Sequence, residues 1–308
     1  MIITPFQEGL RADCPAKLNL FLEILGKRPD GFHEVETVMV TVGLYDTLVF
    51  KEEQSGQVRL QCFDAAQRSP ADQSSQPEDL LPVDARNLVV RAANLLKDRT
   101  GIACGVSIEL HKRIPAAAGL AGGSSDAAAT LASLNRLWDL KLSRPDLQMI
   151  AAELGSDIPF FLAESPLALC RGRGELITPL EPAFRSWTVI VRPSIGLSTA
   201  EVFRHCIPAT QPVSAEKLLE GLKNGNREIV AQNLHNSLQE PAARLCPLLT
   251  RLAHSFEFVT PAAHQMSGSG TAWFGLCRNR LQARQAAGRL NALGVGRVYV
   301  ARTCPDPI

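Results

Sequence analysis

The chain has 308 residues, 45% of them hydrophobic and 20% charged, with a net charge of +1. That length allows one large domain or two with well-covered cores, and the even charge gives no electrostatic reason for nucleic acid or an anionic membrane as a partner. The eight cysteines include no CxxC pair, which leaves a zinc site unsupported and argues against a disulfide framework.

No stretch approaches the roughly 18 apolar residues of a membrane span. The first residues, with Pro5, Glu8, Arg11 and Asp13, lack the apolar core of a signal peptide. The expectation is a soluble, cytoplasmic protein.

In chain order, Leu18, Leu20, Leu22 and Ile24 alternate with Asn19, Phe21, Glu23 and Leu25 in the period of a strand, and Val38 to Val42 is a β-branched run. Ala65 to Asp84 is rich in Ser, Gln, Pro and Asp and reads as a solvated insertion. Asn87 is placed to cap a helix carrying Leu88, Ala92, Leu95 and Leu96. Val106, Ile108 and Leu110 form a half-buried strand, and a helix is expected from about Asp126 to Trp138. Another follows Ser143, with Leu147, Ile150, Ala151 and Leu154 on one face and Gly155 as its stop. Strands are expected at Trp187 to Val191, Thr271 to Leu276 and Val298 to Ala301, with an Ala-rich helix ending at Gly294. The class is α+β in two halves, divided between Ser165 and Glu175 into units of residues 1–170 and 171–308.

The chemistry concentrates after the strand at Val106 to Leu110. PAAAGLAGGSSDAAA runs from Pro115 to Ala129. Gly119, Gly122 and Gly123 permit positive φ and close approach of a ligand. Ser124 and Ser125 are expected to cap the helix that Asp126 begins, placing hydroxyls and free N–H groups at the positive end of its dipole. A strand, a glycine turn and a helix start make an anion site suited to nucleotide phosphates. A plain Ala/Gly connector is the competing reading. There is no GxxxxGK[ST], HRD or DFG, so neither a P-loop nor a protein kinase is indicated.

This string closely resembles the PxxxGLGGGSSDAAA motif of the GHMP kinases. Ala121 stands where that family often has Gly, and is expected to fit with φ negative. CPAKLNLFLEILGKRPDGFHEVET (Cys14 to Thr37) and GSDIPFFL (Gly155 to Leu162) resemble two further segments of that family, in the branch acting on a cytidine-diphosphate methylerythritol.

The resemblance implies a two-domain fold, with an N-terminal domain like ribosomal protein S5 and a ferredoxin-like C-terminal domain. It implies an ATP-dependent kinase with Mg²⁺, acting on a small molecule as monomer or homodimer. Lys17 and Asp157 would be the catalytic pair with Asn19 beside them. Pro115, Ala116, Ala117, Ala118, Gly119, Leu120, Ala121, Gly122, Gly123, Ser124 and Ser125 would bind ATP, with Asn87 near the adenine. Phe32, where the family has Tyr, and His33 would contact the cytosine.

RPSIGLSTAEVF (Arg192 to Phe203) similarly implies Thr199 near the methylerythritol and Phe203 as a second aromatic wall. SGSGTAWFG (Ser267 to Gly275) resembles the third family motif, whose glycines would bring another loop to the phosphates. RGRGE (Arg171 to Glu175) is also family-like, with no role assigned. NSLQEP (Asn236 to Pro241) resembles a family stretch with Ser237 and Gln239 substituted.

Overall fold

A computed structural model describes residues 1–64, 81–163, 165–259 and 263–305. The expected insertion at Ala65 to Asp84 therefore lies outside the described residues up to position 80.

The first sheet starts with β1 (Ile2–Phe6) and the long antiparallel pair β2 (Gly9–Lys27) and β3 (His33–Glu53). β4 (Val58–Asp64), β5 (Gly105–Lys112), β6 (Leu167–Arg171), β7 (Leu176–Pro179) and the short β9 (His235–Asn236) complete it. The order is β1-β2-β3-β5-β4, with β6 pairing β3 and β7, and β9 running parallel to β2. The second sheet holds β8 (Trp187–Arg192), β10 (His264–Met266), β11 (Trp273–Cys277) and β12 (Arg297–Arg302), in the order β10-β11-β8-β12. Apart from β9, the strands of the first sheet lie before Leu180, and those of the second begin at Trp187.

β2 departs from simple alternation, because every residue from Cys14 to Ile24 is buried. One side of the first sheet packs on α1 (Leu88–Thr100), α2 (Gly122–Leu137), α3 (Arg144–Leu154) and α4 (Ile158–Phe161) through Ala12, Cys14, Met39 and Phe50. Other residues of β2 join cores shared with the second half: Leu18 and Leu20 lie in one core with Phe274, and Leu22 and Ile24 in another with Val189 and Val191. Register shifts at Pro15/Ala16, Asn19/Phe21 and Ile24/Gly26 re-aim the side chains along this strand. A strand covered on both faces loses the polar face that alternation would show.

Asn87 caps α1 by accepting from Val89 N, and Ser143 forms a capping box with Asp146 at the start of α3. α2 corrects the sequence reading. It begins at Gly122, four residues before Asp126, and neither Ser124 nor Ser125 caps it. Its N-cap is Ala121, with no side-chain bond. The two glycines adopt helical backbone, so the turn falls on Ala121, whose φ of 54° is left-handed and not negative as expected.

The second half adds α5 (Thr199–Arg204), α6 (Glu216–Lys223), α7 (Arg227–Gln232), α8 (Gln239–Leu245), α9 (Leu248–Val259) and α10 (Arg280–Ala292). Leu249, Leu252 and Phe256 of α9 and Ala283, Ala286 and Leu290 of α10 share a core with Val189, Val191 and Trp273 of the second sheet. No described helix is long and apolar enough to cross a membrane.

Candidate active site

A cleft of about 920 Å³ opens where the two halves meet. Its size is that of a small-molecule site. Lys17, Asn19, Asp157, the loop residues Pro115 to Gly119 and Ala121 to Ser124, Phe32, His33, Thr199 and Phe203 all line it. Leu120 and Ser125 do not, since both are fully buried. Asn87 is also absent from the lining. Its amide donates to Pro82 O at 2.8 Å and accepts from Val89 N at 3.0 Å, while its neighbour Leu88 faces the cleft.

Lys17 is buried on β2, and its Nζ lies 3.4 Å from Asp157 Oδ2. Asp157 is the N-cap of α4 but makes no side-chain capping bond, so its carboxylate is free to face the cleft. Lys17 Nζ also donates to Asn19 Oδ1 at 2.5 Å. The Asn19 amide in turn donates to Thr37 Oγ1 at 2.8 Å, and that hydroxyl donates to Phe21 O at 2.6 Å. This chain of bonds fixes the ammonium beside the carboxylate, which matters because a buried charge is costly unless paired and bonded.

The glycine loop is held by backbone. Lys17 N donates to Leu120 O at 3.0 Å, and Ala272 N donates to Ala118 O at 3.0 Å. Gly119, at φ 73°, leaves no room for a side chain, since a Cβ there would sit 2.0 Å from Ser267 O. The Ser267 hydroxyl accepts from Asn19 N at 3.3 Å and donates to Gly119 O at 3.0 Å. Gly268 packs so close that a Cβ would come within 3.2 Å of Lys17 Nζ. The SGSG segment therefore bridges β2 and the loop.

The aromatic side of the cleft comes from distant segments. The His33 and Phe203 rings lie 5.3 Å apart at 45°. Phe32 is half exposed, with the Arg173 guanidinium 4.8 Å above its ring. Burial, and to a lesser degree Lys27, depresses the His33 imidazole below its ordinary value, which favours the neutral ring. Thr199 Oγ1 bonds Ser269 Oγ at 2.8 Å and so joins α5 to the SGSG segment.

Several contributors carried no assigned role in the sequence. Gly174 of RGRGE lies within reach of Asp157, with a built Cβ 3.9 Å from its Oδ1, and Arg173 lines the cleft. Asn236 of NSLQEP donates to Met266 O at 2.8 Å and Gly268 O at 2.9 Å, while Gln239 Oε1 accepts from Met266 N. Both stretches resemble family segments, but their roles rest on contacts with residues remote in sequence, which composition does not show.

A glycine-rich loop entering a helix, a Lys–Asp pair and an aromatic wall in one cleft are the makings of a small-molecule kinase of the GHMP class. The GHMP kinases N terminal domain family matches residues 87–165, and the GHMP kinases C terminal family matches residues 218–296. A 4-diphosphocytidyl-2-C-methyl-D-erythritol kinase of Alkaliphilus metalliredigens is 36% identical over 281 residues, spanning 90% of this chain and 91% of that protein. The crystal structure of a 4-(cytidine 5'-diphospho)-2C-methyl-D-erythritol kinase superposes with a TM-score of 0.77 at 33% identity, covering 96% of this chain and 100% of the other. A homoserine kinase from Cytophaga hutchinsonii reaches a TM-score of 0.70 at 18% identity, over 98% of this chain and 96% of its own, a likeness of fold alone. The chain belongs to the family of 4-diphosphocytidyl-2-C-methyl-D-erythritol kinases.

Proposed function

We propose that the protein transfers the γ-phosphoryl group of ATP to the 2-hydroxyl of 4-diphosphocytidyl-2-C-methyl-D-erythritol. The observation that carries this reading is the Lys17–Asp157 pair at 3.4 Å, set in one cleft between the glycine loop and the His33–Phe203 rings.

Asp157 accepts the proton of the attacking hydroxyl, while Lys17 orients that alcohol and offsets charge on the moving phosphoryl group. Phosphoryl transfer depends mainly on positioning and charge stabilisation, so two fixed side chains and a rigid loop suffice for the protein's part. Backbone N–H groups of the loop and the start of α2 hold the phosphates. Phe32, His33 and Phe203 take the cytosine by stacking and an edge hydrogen bond, for which a neutral His33 offers one donor and one acceptor. Thr199 positions the methylerythritol end. Lys27, Arg173 and Arg204 also line the cleft and are suited to the substrate's diphosphate.

Mg²⁺ bound with ATP supplies neutralisation of phosphate oxygens. No group of three or more His, Cys, Asp or Glu is gathered to hold a metal among the described residues. Such an ion would be held mostly by the phosphates, with Ser124 at the start of α2 as a protein oxygen lining the cleft beside the loop.

The test is ATP consumption with the cytidine-diphosphate alcohol, homoserine and mevalonate offered separately. Turnover with the first alone is expected. Turnover confined to homoserine or mevalonate would assign another alcohol, and ATP binding without turnover on any of the three would leave a binding protein in a kinase fold.

A further inference from the structure

Beneath the glycine loop lies a buried charged cluster that does not line the cleft. Lys112, the last residue of β5, is buried with Asp46 of β3 and Asp126 of α2. Its ammonium donates to Asp46 Oδ2 and, at 2.8 Å, to Asp126 Oδ2. The other oxygen of Asp46 accepts from Arg113 N at 2.6 Å and Ile114 N at 2.9 Å, the two residues that lead from β5 into the loop. Asp126 sits one turn into the helix that the loop enters. One ammonium therefore ties together the strand before the loop, the backbone at its entry and the helix at its exit.

Packing enforces the same arrangement. A Cβ at Gly122 would lie 2.8 Å from Ile114 Cγ2 and 3.1 Å from Lys112 Nζ, so the helix start rests directly on the cluster. Stability alone does not account for it. Burying two carboxylates with one ammonium carries a desolvation penalty, which pushes the Asp126 carboxyl up to about 7 and which apolar residues of similar volume would avoid. Moreover, Asp126 Oδ1 and the adjacent Ser125 Oγ are buried without a hydrogen-bond partner among the described residues. A cluster serving stability would satisfy them.

We propose that Lys112, Asp46 and Asp126 are positioning residues that set the distance between the two ends of the phosphate loop, and thereby the affinity for ATP. None of the three lines the cleft, so they act through the loop and not on substrate. The inference rests on the kinase reading, in which this loop holds the ATP phosphates.

Asp126→Ala is the decisive variant, because it releases the helix arm and leaves Lys112 paired with Asp46. KM for ATP should rise about tenfold, the scale of a lost hydrogen bond to a charged group. KM for the cytidine alcohol should stay within about twofold. Asp126→Asn, whose amide oxygen still accepts from Lys112, should recover most of the loss. A folded Asp126→Ala enzyme with unchanged KM for ATP would overturn the inference, as would equal rises for both substrates or an Asn variant no better than Ala. If the alanine variant does not melt cooperatively, Lys112→Arg replaces it, since a planar guanidinium displaces both carboxylates while keeping the charge. The same ATP-selective rise is expected there, and a normal KM would refute the idea. An unmodified chain without ATP-dependent turnover would overturn the kinase reading together with this inference. Normal turnover with unaffected variants would overturn the inference alone.

Discussion

The loop side of the cleft is backbone held by backbone, while the aromatic side is made of side chains carried in from far apart. Pro115 to Ser124 form one continuous segment, fixed by Lys17 N to Leu120 O and Ala272 N to Ala118 O. His33 and Phe203 face each other from the start of β3 and from α5, and Phe32 is covered by Arg173 from beyond β6. A backbone site demands small residues at fixed spacing and so leaves a dense trace in sequence. A side-chain site can be rebuilt residue by residue, which suits the part of a kinase that chooses its alcohol. Lys17 and Asp157 lie between the two and should belong to neither.

The largest expected effect separates that pair from both walls. Asp157→Asn keeps the volume and removes the base, so kcat should fall by about 10² to 10⁴, the range for a lost general base. KM for ATP and for the alcohol should change little, as single-turnover and steady-state assays would report. Near-normal turnover would remove Asp157 from the chemistry.

Next comes the aromatic wall. Phe203→Ala removes one ring facing His33, and loss of base stacking is worth about 1–3 kcal/mol. KM for the cytidine alcohol should therefore rise about tenfold or more while KM for ATP holds. An equal rise in both would mean that the walls are not independent.

His33 gives a smaller, pH-dependent contrast. Its folded-state value lies below the ordinary histidine value because burial and Lys27 disfavour the cation. The neutral ring therefore predominates at the ordinary value of about 6.5, and most of the protonation falls below that pH. KM for the alcohol should be flat above that pH and climb on further acidification, with KM for ATP less affected. Lowering the pH also costs stability there, since the unfolded chain takes up the proton first.

What could be read beforehand follows the same division. The loop is legible from its own residue types, whereas Lys17 and Asp157 stand out only through the resemblance of their segments to the GHMP kinases. The capping of α1 by Asn87 and of α3 by Ser143 is local too, and both appear in the structure. The brace of Asn236 and Gln239 on Met266 and Gly268, and the seating of Arg173 over Phe32, depend on contacts between remote segments. The strings that hold them resemble family segments, but nothing local in them says what they touch. The start of α2 was misplaced for a different reason. Glycines read as loop, yet two in a row adopt helical backbone once the helix has Lys112 and Ile114 to rest on.

The smallest effect tests the one residue where the loop departs from its own logic. Ala121 adopts φ 54° and ψ 33° with a Cβ that this conformation disfavours by about 1–2 kcal/mol. Ala117, at φ 49°, does the same on the other side of Gly119. Ala121→Gly relieves the strain but gives the unfolded chain more freedom, which takes back about 0.4–1 kcal/mol. The net gain should be a fraction of a kcal/mol to about 1 kcal/mol, a rise of roughly 1–3 °C in melting temperature for a protein somewhat larger than 250 residues. KM for ATP should hardly move, because bonds from Lys17 N and Ala272 N already pin the residues on either side of Gly119. If Ala121→Gly instead lowers the melting temperature, the left-handed turn before α2 is absent in solution, and the backbone wall is looser than the aromatic one.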